Sequence, residues 1–332
     1  MSYELATACV MLAALTLYVL FGGADYGAGV WDLLARGPRA SAQRDLIAHA
    51  IGPVWEANHV WLILVIVLFF TGFPLAFGAV MTSLHAPLSL MLVGIVLRGS
   101  AFTFRAYDPS ERARRRWNRV FSIPSVVTPV LLGSIIGAIA TGQVGLAPDR
   151  QARAVVWLGP FPIVVGLFAL AIFAYLAAVY LTLETTDPQL RDDFRLRALI
   201  SAVIVGVLAF AVYQIASTDA PDLIRGLGSS AWGLPVRAAT GAFAIAAIAA
   251  LWTRRYRIAR IAAMAQVTLI LFGCALAQYP LLVPPDLTIE SSSAPPLVHK
   301  FLLAALAAGS LILIPSIVYL FRVFKVHTFK RV

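Results

Sequence analysis

The sequence predicts an all-α polytopic membrane protein, and three observations carry that expectation. Hydrophobic residues make up 60% of the chain, charged residues only 13%, and the mean hydropathy is +0.85, well above what a water-soluble domain carries. The apolar residues fall into runs of about 20 or more, the length that crosses a ~30 Å hydrocarbon core. The basic residues crowd into the gaps between runs, where they orient a membrane protein. The net charge of +10 therefore belongs at a membrane surface and does not point to nucleic acid.

Nine spans are expected, at about 5–29, 50–71, 76–101, 120–142, 155–182, 198–216, 233–253, 261–282 and 300–322, in one integral membrane domain over 1–332. The first run opens after Glu4 and closes on Gly-Gly-Ala-Asp25. It lacks the basic start and small-residue cleavage site of a signal peptide and is read as a helix of the mature protein. The second and third runs share 41 residues, 57–97, without Asp, Glu, Lys or Arg. The seventh is shortened by Pro235 and by Arg237, which would snorkel to an interface.

Orientation tests the count independently. With nine spans and an outer N-terminus, 21 of the 26 Lys and Arg fall inside, and only Arg150, Arg153, Arg225, Arg237 and Lys300 fall outside. Merging or splitting one span would flip every later loop and destroy the bias, so the N-terminus is placed outside and the C-terminus inside. No internal repeat is visible in the sequence. Residues 283–296 carry four prolines and read as a stiff surface loop. The inner segment 105–119, with Arg112 and Arg114 to Arg116, reads as a contact for anionic lipid headgroups. Cys9 and Cys274 form no CxxC pattern and read as small core residues, with no metal site.

The chemistry is expected around Glu56, in Ile51-Gly-Pro-Val-Trp-Glu-Ala-Asn-His-Val-Trp61. A carboxyl group inside or at the edge of hydrocarbon costs several kcal/mol unless protonated, paired or hydrated, so it is a functional candidate by default. Carrying a proton is its obvious task. Asp25, near the inner end of the first run, would lie roughly 7–12 Å above the inner face, as Glu56 would. Antiparallel pairing of the first two helices would then bring both acids within reach of one or two waters. Trp55, Asn58 and His59 flank Glu56, and His59 shares its helix face at a spacing of three. Arg98 and Arg105 end the third run; they either snorkel to the inner surface or neutralise Glu56 or Asp25. Gly23 and Gly27 form a Gly-xxx-Gly pair suited to close helix approach. Of the five histidines, His59 and His85 are the two intramembrane candidates for a haem, and a structural role is the simpler reading of each.

Five segments together resemble a known family. They are Gly23-Ala-Asp-Tyr-Gly-Ala-Gly29, the 51–61 segment, Leu97-Arg-Gly-Ser-Ala-Phe-Thr-Phe-Arg105, Gln278-Tyr-Pro-Leu-Leu-Val-Pro-Pro-Asp-Leu-Thr288 and Ile314-Pro-Ser-Ile-Val-Tyr-Leu-Phe-Arg-Val-Phe-Lys325. In this order they resemble subunit II of the cytochrome bd-type quinol oxidases. The resemblance implies two four-helix bundles plus a peripheral helix in the bacterial cytoplasmic membrane, with the N-terminus periplasmic and the C-terminus cytoplasmic. It implies a role in the respiratory, electrogenic reduction of oxygen to water by quinol. Haems b and d and the quinol site would belong to a partner, subunit I, with small single-helix subunits and membrane lipids as further neighbours. This chain would hold no metal and no catalytic residue, with room for a bound quinone or lipid, and would lend a cytoplasmic proton path. The family's Trp–acid pair falls on Trp55 and Glu56, and its first-helix acid on Asp25. Two departures stand out: the commoner residue at 56 is Asp, and at 59 an acid or amide. Glu56→Gln is expected to slow turnover with assembly intact, and Asp25→Asn to give a milder version. The competing readings are a proton-coupled secondary transporter using Asp25 and Glu56, and a stand-alone haem protein.

Overall fold

A computed structural model describes residues 2–107, 111–147 and 155–328. In order, α1 spans Tyr3–Leu34, α2 Ala40–Gly72, α3 Pro74–Ser83, α4 His85–Tyr107 and α5 Glu111–Ala140. A 3-10 turn at Val156–Leu158 leads into α6 at Pro160–Leu181, α7 at Pro188–Asp219, α8 at Pro221–Ser229, α9 at Gly233–Trp252 and α10 at Tyr256–Gln278. A two-stranded antiparallel ribbon, β1 Leu281–Val283 and β2 Leu287–Thr288, pairs Leu281 with Thr288 and Val283 with Leu287 across the proline-rich loop. The last helix, α11, runs Pro296–Thr328. Among the described residues seven helices are long and apolar enough to cross a membrane. The protein is a multi-pass, all-helical membrane protein.

The helices outrun the apolar windows that announce them. α2 starts at Ala40 and α7 at Pro188, each ten residues before its run. Hydropathy marks only the part of a helix inside hydrocarbon; polar turns continue the same hydrogen-bond ladder into the aqueous layer. The expected third span, 76–101, departs further. The chain breaks at Phe73, turns by 115° into α3, and breaks again at Leu84 before α4. Pro74 has no N–H to continue the ladder of α2, so it opens a new helix at its first position instead.

A second break has the same geometry. Ala220 (φ −141°, ψ 60°) matches Phe73 (φ −133°, ψ 60°), and Pro221 opens α8 as Pro74 opens α3. The element order long, long, short, long, long is thus traversed twice, α1–α5 and then α6–α10, with α11 added. In the first half α1 packs on α2 and α5, and α4 on α5; in the second α6 packs on α7 and α10, and α9 on α10. α11 lies against α1 and α2, with Phe301, Leu311 and Ile312 exposed.

The halves meet where α1 and α5 pack on α6. Every residue of 171–179 on α6 is buried, as expected for a helix apolar on all sides. Gly23 and Gly27 permit this contact. A Cβ on Gly27 would collide with the Phe173 carbonyl, and one on Gly23 with the Leu176 side chain. The Trp31 indole N–H then donates to the Ala174 carbonyl at 2.8 Å. Gly27→Ala is expected to lower unfolding stability by about 1–3 kcal/mol through overpacking; thermal unfolding of the purified protein checks it.

The two ends of the bundle differ. At one end Arg39 donates to both oxygens of Asp193 (2.8 and 2.6 Å), Arg254 pairs with Asp192 (3.2 Å), and Arg191 lies over the Tyr256 ring. Arg39, Arg191 and Arg254 therefore gather at one end of the bundle. The Asp193 carboxylate beside Arg39 raises that guanidinium further above its ordinary value.

At the opposite end, buried His299 ties α11 to α1. The Thr7 hydroxyl donates to the Tyr3 carbonyl (2.9 Å), so His299 Nδ1–H donates to Thr7 Oγ1 (2.9 Å) and Nε2 accepts from Ser293 (2.7 Å). The ring also packs on Phe73 at the break after α2. His299→Ala is expected to cost about 1–3 kcal/mol, because the Thr7 and Ser293 hydroxyls each lose their hydrogen bond to the ring and its packing on Phe73 is lost. Faster amide exchange at the start of α11 is the readout.

Candidate functional site

Asp25 on α1 and Arg98 on α4 each lie nine residues from the Arg-rich end of their helix, ~13 Å along the axis. Asp25 is 0% and Arg98 1% exposed, so neither side chain reaches water at the bundle surface. They form an ion pair instead: Arg98 Nη2 donates to Asp25 Oδ1 at 2.5 Å and to the Asp25 carbonyl at 2.7 Å. Arg98 Nε donates to Ser125 Oγ (2.8 Å), and that hydroxyl donates onward to the Phe121 carbonyl (2.8 Å). The guanidinium is sandwiched between the rings of Tyr26 and Phe121, each centroid 4.7 Å away. Three helices, α1, α4 and α5, thus converge on one cation. Of the two roles open to Arg98, the structure takes the second and gives it Asp25 as partner; it does not snorkel.

Polar groups continue beyond the pair. Asn58 on α2 is fully buried with both amide atoms lacking a protein partner, and a Cβ on Gly22 would sit 3.4 Å from its Nδ2. That places Asn58 against α1 one turn from Asp25. Asp25 Oδ2, Arg98 Nη1 and Thr128 Oγ1 are also buried without a protein partner. Thr128 faces Gly94, one turn along α4 from Arg98, where a Cβ would collide with its hydroxyl. Unpaired buried polar atoms in such a cluster are the usual setting for internal water. Nearer the Arg-rich end, Ser122 donates to Asp32 at 2.9 Å and again joins α5 to α1.

His59 is half-buried on α2. His85 is exposed at the first residue of α4, beside the Thr82 carbonyl (3.0 Å). His59 lies thirteen residues before the end of α2, ~20 Å down the helix, whereas His85 opens α4 directly after the break at Leu84, so the two rings do not sit at the expected matching depth. Both ring nitrogens of His299 are occupied as well. Among the described residues no three His, Cys, Asp or Glu gather as metal ligands, and the histidine arrangement does not fit a haem. Cys9, expected in the core, is exposed on the apolar surface of α1.

Glu56 and Trp55 lie on the backbone of α2, but their side chains fall outside the described residues, as does that of Arg105 on α4. Reasoning from sequence missed Ser125, Tyr26 and Phe121, the cage around Arg98. The available signal was the cluster of hydroxyl residues Ser122, Ser125 and Thr128 beside Pro124 and Pro129 in a largely apolar run.

Comparison with known proteins is consistent along the chain. The family described as cytochrome bd terminal oxidase subunit II matches residues 3–324. The chain is similar to cytochrome bd ubiquinol oxidase subunit 2 of Bacillus subtilis (strain 168), 26% identical over 200 residues, 59% of this chain and 58% of that one. It is also similar to cytochrome bd-I ubiquinol oxidase subunit 2 of Escherichia coli (strain K12), 23% identical over 205 residues, 60% of this chain and 52% of that one. These two matches span little more than half of each relative's length. A putative cytochrome bd menaquinol oxidase subunit II of Bacillus subtilis matches more extensively, 21% identical over 93% of this chain and 91% of that one. The fold matches a chain in the structure of bd oxidase from Geobacillus thermodenitrificans, with a TM-score of 0.78, 23% identity, and coverage of 98% and 99%.

Proposed function

Because this chain belongs to the cytochrome bd terminal oxidase subunit II family, we propose that it is the haem-free second subunit of a quinol:oxygen oxidoreductase in the bacterial cytoplasmic membrane. The complex oxidises two quinols to two quinones and reduces one O2 to two waters. A haem-bearing subunit I supplies the redox chemistry. This chain scaffolds that partner and supplies part of a proton path, and the small subunits and lipids named above complete the assembly.

The carrying observation is the buried polar cluster around Asp25 and Arg98, in a helix bundle whose exterior is apolar. An ion pair held at 2.5 Å between two helices and hydrogen-bonded to a third is an anchor, with its charges neutralised in place. It fixes α1, α4 and α5, and Asn58 brings α2 against them. Asp25 is committed to Arg98, and Glu56, singled out from the sequence alone, is the carboxyl group assigned to take up and release a proton. Asn58, with its unpartnered amide atoms, and His59 are assigned to the same route, and Trp55 joins them on the strength of the sequence motif alone.

Nine spans follow from adding α2 and α4 to the seven apolar helices, with α3 and α8 lying along the outer surface. The repeated element order supports reading two four-helix bundles, α1, α2, α4, α5 and α6, α7, α9, α10, with α11 peripheral. The gathering of Arg39, Arg191 and Arg254 on one face supports reading that face as the cytoplasmic one. Protons consumed at oxygen therefore enter from the Arg-rich side. In proteoliposomes holding the complex in one orientation, quinol-driven oxygen uptake should alkalinise the compartment facing the Arg-rich end. Alkalinisation of the other compartment would overturn the path.

A further inference from the structure

At the Arg-rich face, a groove of about 280 Å³ opens between the α1–α2 turn and the start of α7. That is just under the roughly 300 Å³ at which clefts for drug-sized ligands begin. Arg36, Arg39, Gln43, Asp193 and Arg197 line it. Asp193 is occupied by Arg39 and Gln43, and Arg197 donates to Gln43 Oε1 at 2.6 Å while lying over the rings of Trp31 and Phe194. Three guanidinium groups against one carboxylate leave the groove with two net positive charges. Arg36 is exposed and makes no hydrogen bond or ion pair among the described residues. Gly37, at φ +82°, and Pro38 turn the chain there and hold Arg36 beside the opening.

An apolar track leaves the same groove. Leu196 and Ile200 line its edge, and Val203 and Val207 continue along α7, with exposures of 59%, 50%, 61% and 63%. Spacings of four, three and four keep them on one helix face. From Leu196 to Val207 the stripe covers ~16 Å, about half of a ~30 Å hydrocarbon core and thus one leaflet. A basic pocket at the surface that continues into a one-leaflet apolar stripe matches the two chemistries of a single amphiphile.

We propose that this groove binds the phosphate headgroup of an anionic phospholipid, with an acyl chain lying along Leu196, Ile200, Val203 and Val207. The charge selects an anionic headgroup over a zwitterionic one, and the stripe selects a lipid over a soluble phosphate. The site is independent of the proton path and lies in the Arg-rich leaflet whichever way the chain is oriented.

The test is native mass spectrometry of the full chain, with whatever subunits co-purify, released from nanodiscs containing equal phosphatidylglycerol and phosphatidylcholine. Retention of one phosphatidylglycerol per chain, in preference to phosphatidylcholine, is expected. Arg36→Gln removes an unpartnered surface cation and should lower that retention about fivefold, the effect of one Lys or Arg beside an anionic surface. Millimolar inorganic phosphate should not displace the lipid. Equal retention of the two lipids, or an unchanged Arg36→Gln variant, would overturn the site. Displacement by inorganic phosphate would make it a soluble-anion site and overturn the lipid. A cross-link from Val203→Cys to a co-purifying protein would give the stripe to that protein and also overturn the proposal.

Discussion

Arg98→Gln is expected to destabilise the protein by about 3–5 kcal/mol, the cost of leaving one member of a buried ion pair without its partner. Asp25 is fully buried, and among the described residues its charge partner is Arg98. The substitution also frees Ser125 and opens space between the rings of Tyr26 and Phe121 that now hold the guanidinium. Loss of membrane accumulation and a lower melting temperature are the readouts. The double variant Asp25→Asn with Arg98→Gln should recover much of the loss, because it removes the uncompensated charge while keeping hydrogen-bonding groups of similar shape. A double-mutant cycle measures that coupling. Near-additive losses would show that the pair is not the anchor described.

Glu56→Gln should behave in the opposite way. It keeps size and hydrogen-bonding capacity but cannot carry a proton, so oxidase turnover should fall about tenfold or more, the scale of lost acid–base function. Assembly, haem content and melting temperature should stay at wild-type values. Glu56→Asp keeps a titratable carboxyl group, one methylene shorter, and should keep most of the activity. The same logic revises the expectation for Asp25→Asn. With Arg98 bonded to Asp25, that change strands a buried cation, so it should act chiefly on stability instead of mildly on turnover. Wild-type turnover in Glu56→Gln would remove Glu56 from the path.

The sequence carried the membrane architecture well, because burying apolar side chains in lipid and setting arginines at one face leave a signal in composition alone. Helix ends were less legible. Residues 40–49 of α2 and 188–197 of α7 interrupt their apolar positions with Arg44, Asp45, Arg191, Asp192, Asp193, Arg195 and Arg197, yet they remain helical because backbone hydrogen bonding continues into water. The break at Leu84 has its cause in Pro87, which has no N–H to donate to the Ser83 carbonyl, but hydropathy alone joined α3 to α4 into one run. The internal repeat escaped notice for a different reason: what the two halves share is the backbone turn at Phe73–Pro74 and Ala220–Pro221, not side-chain identity.

In the site, single residues were legible and pairs were not. Asp25 and Arg98 stood out as ionisable groups at the edges of apolar runs. Their 73-residue separation gave no indication that α4 would place the guanidinium at Asp25 instead of at the surface. The partners of that pair, Ser125, Tyr26 and Phe121, are ordinary residues whose function exists only in three dimensions.

The most direct test of the account is isolation of the tagged chain in gentle detergent, with a reduced-minus-oxidised visible spectrum and identification of every co-purifying protein. The account predicts a second multi-pass subunit carrying the haem spectrum, and a colourless chain once the two are separated. A chain that purifies alone and without colour would contradict it and favour a proton-coupled transporter. A haem spectrum retained by the isolated chain would contradict the division of labour between the two subunits.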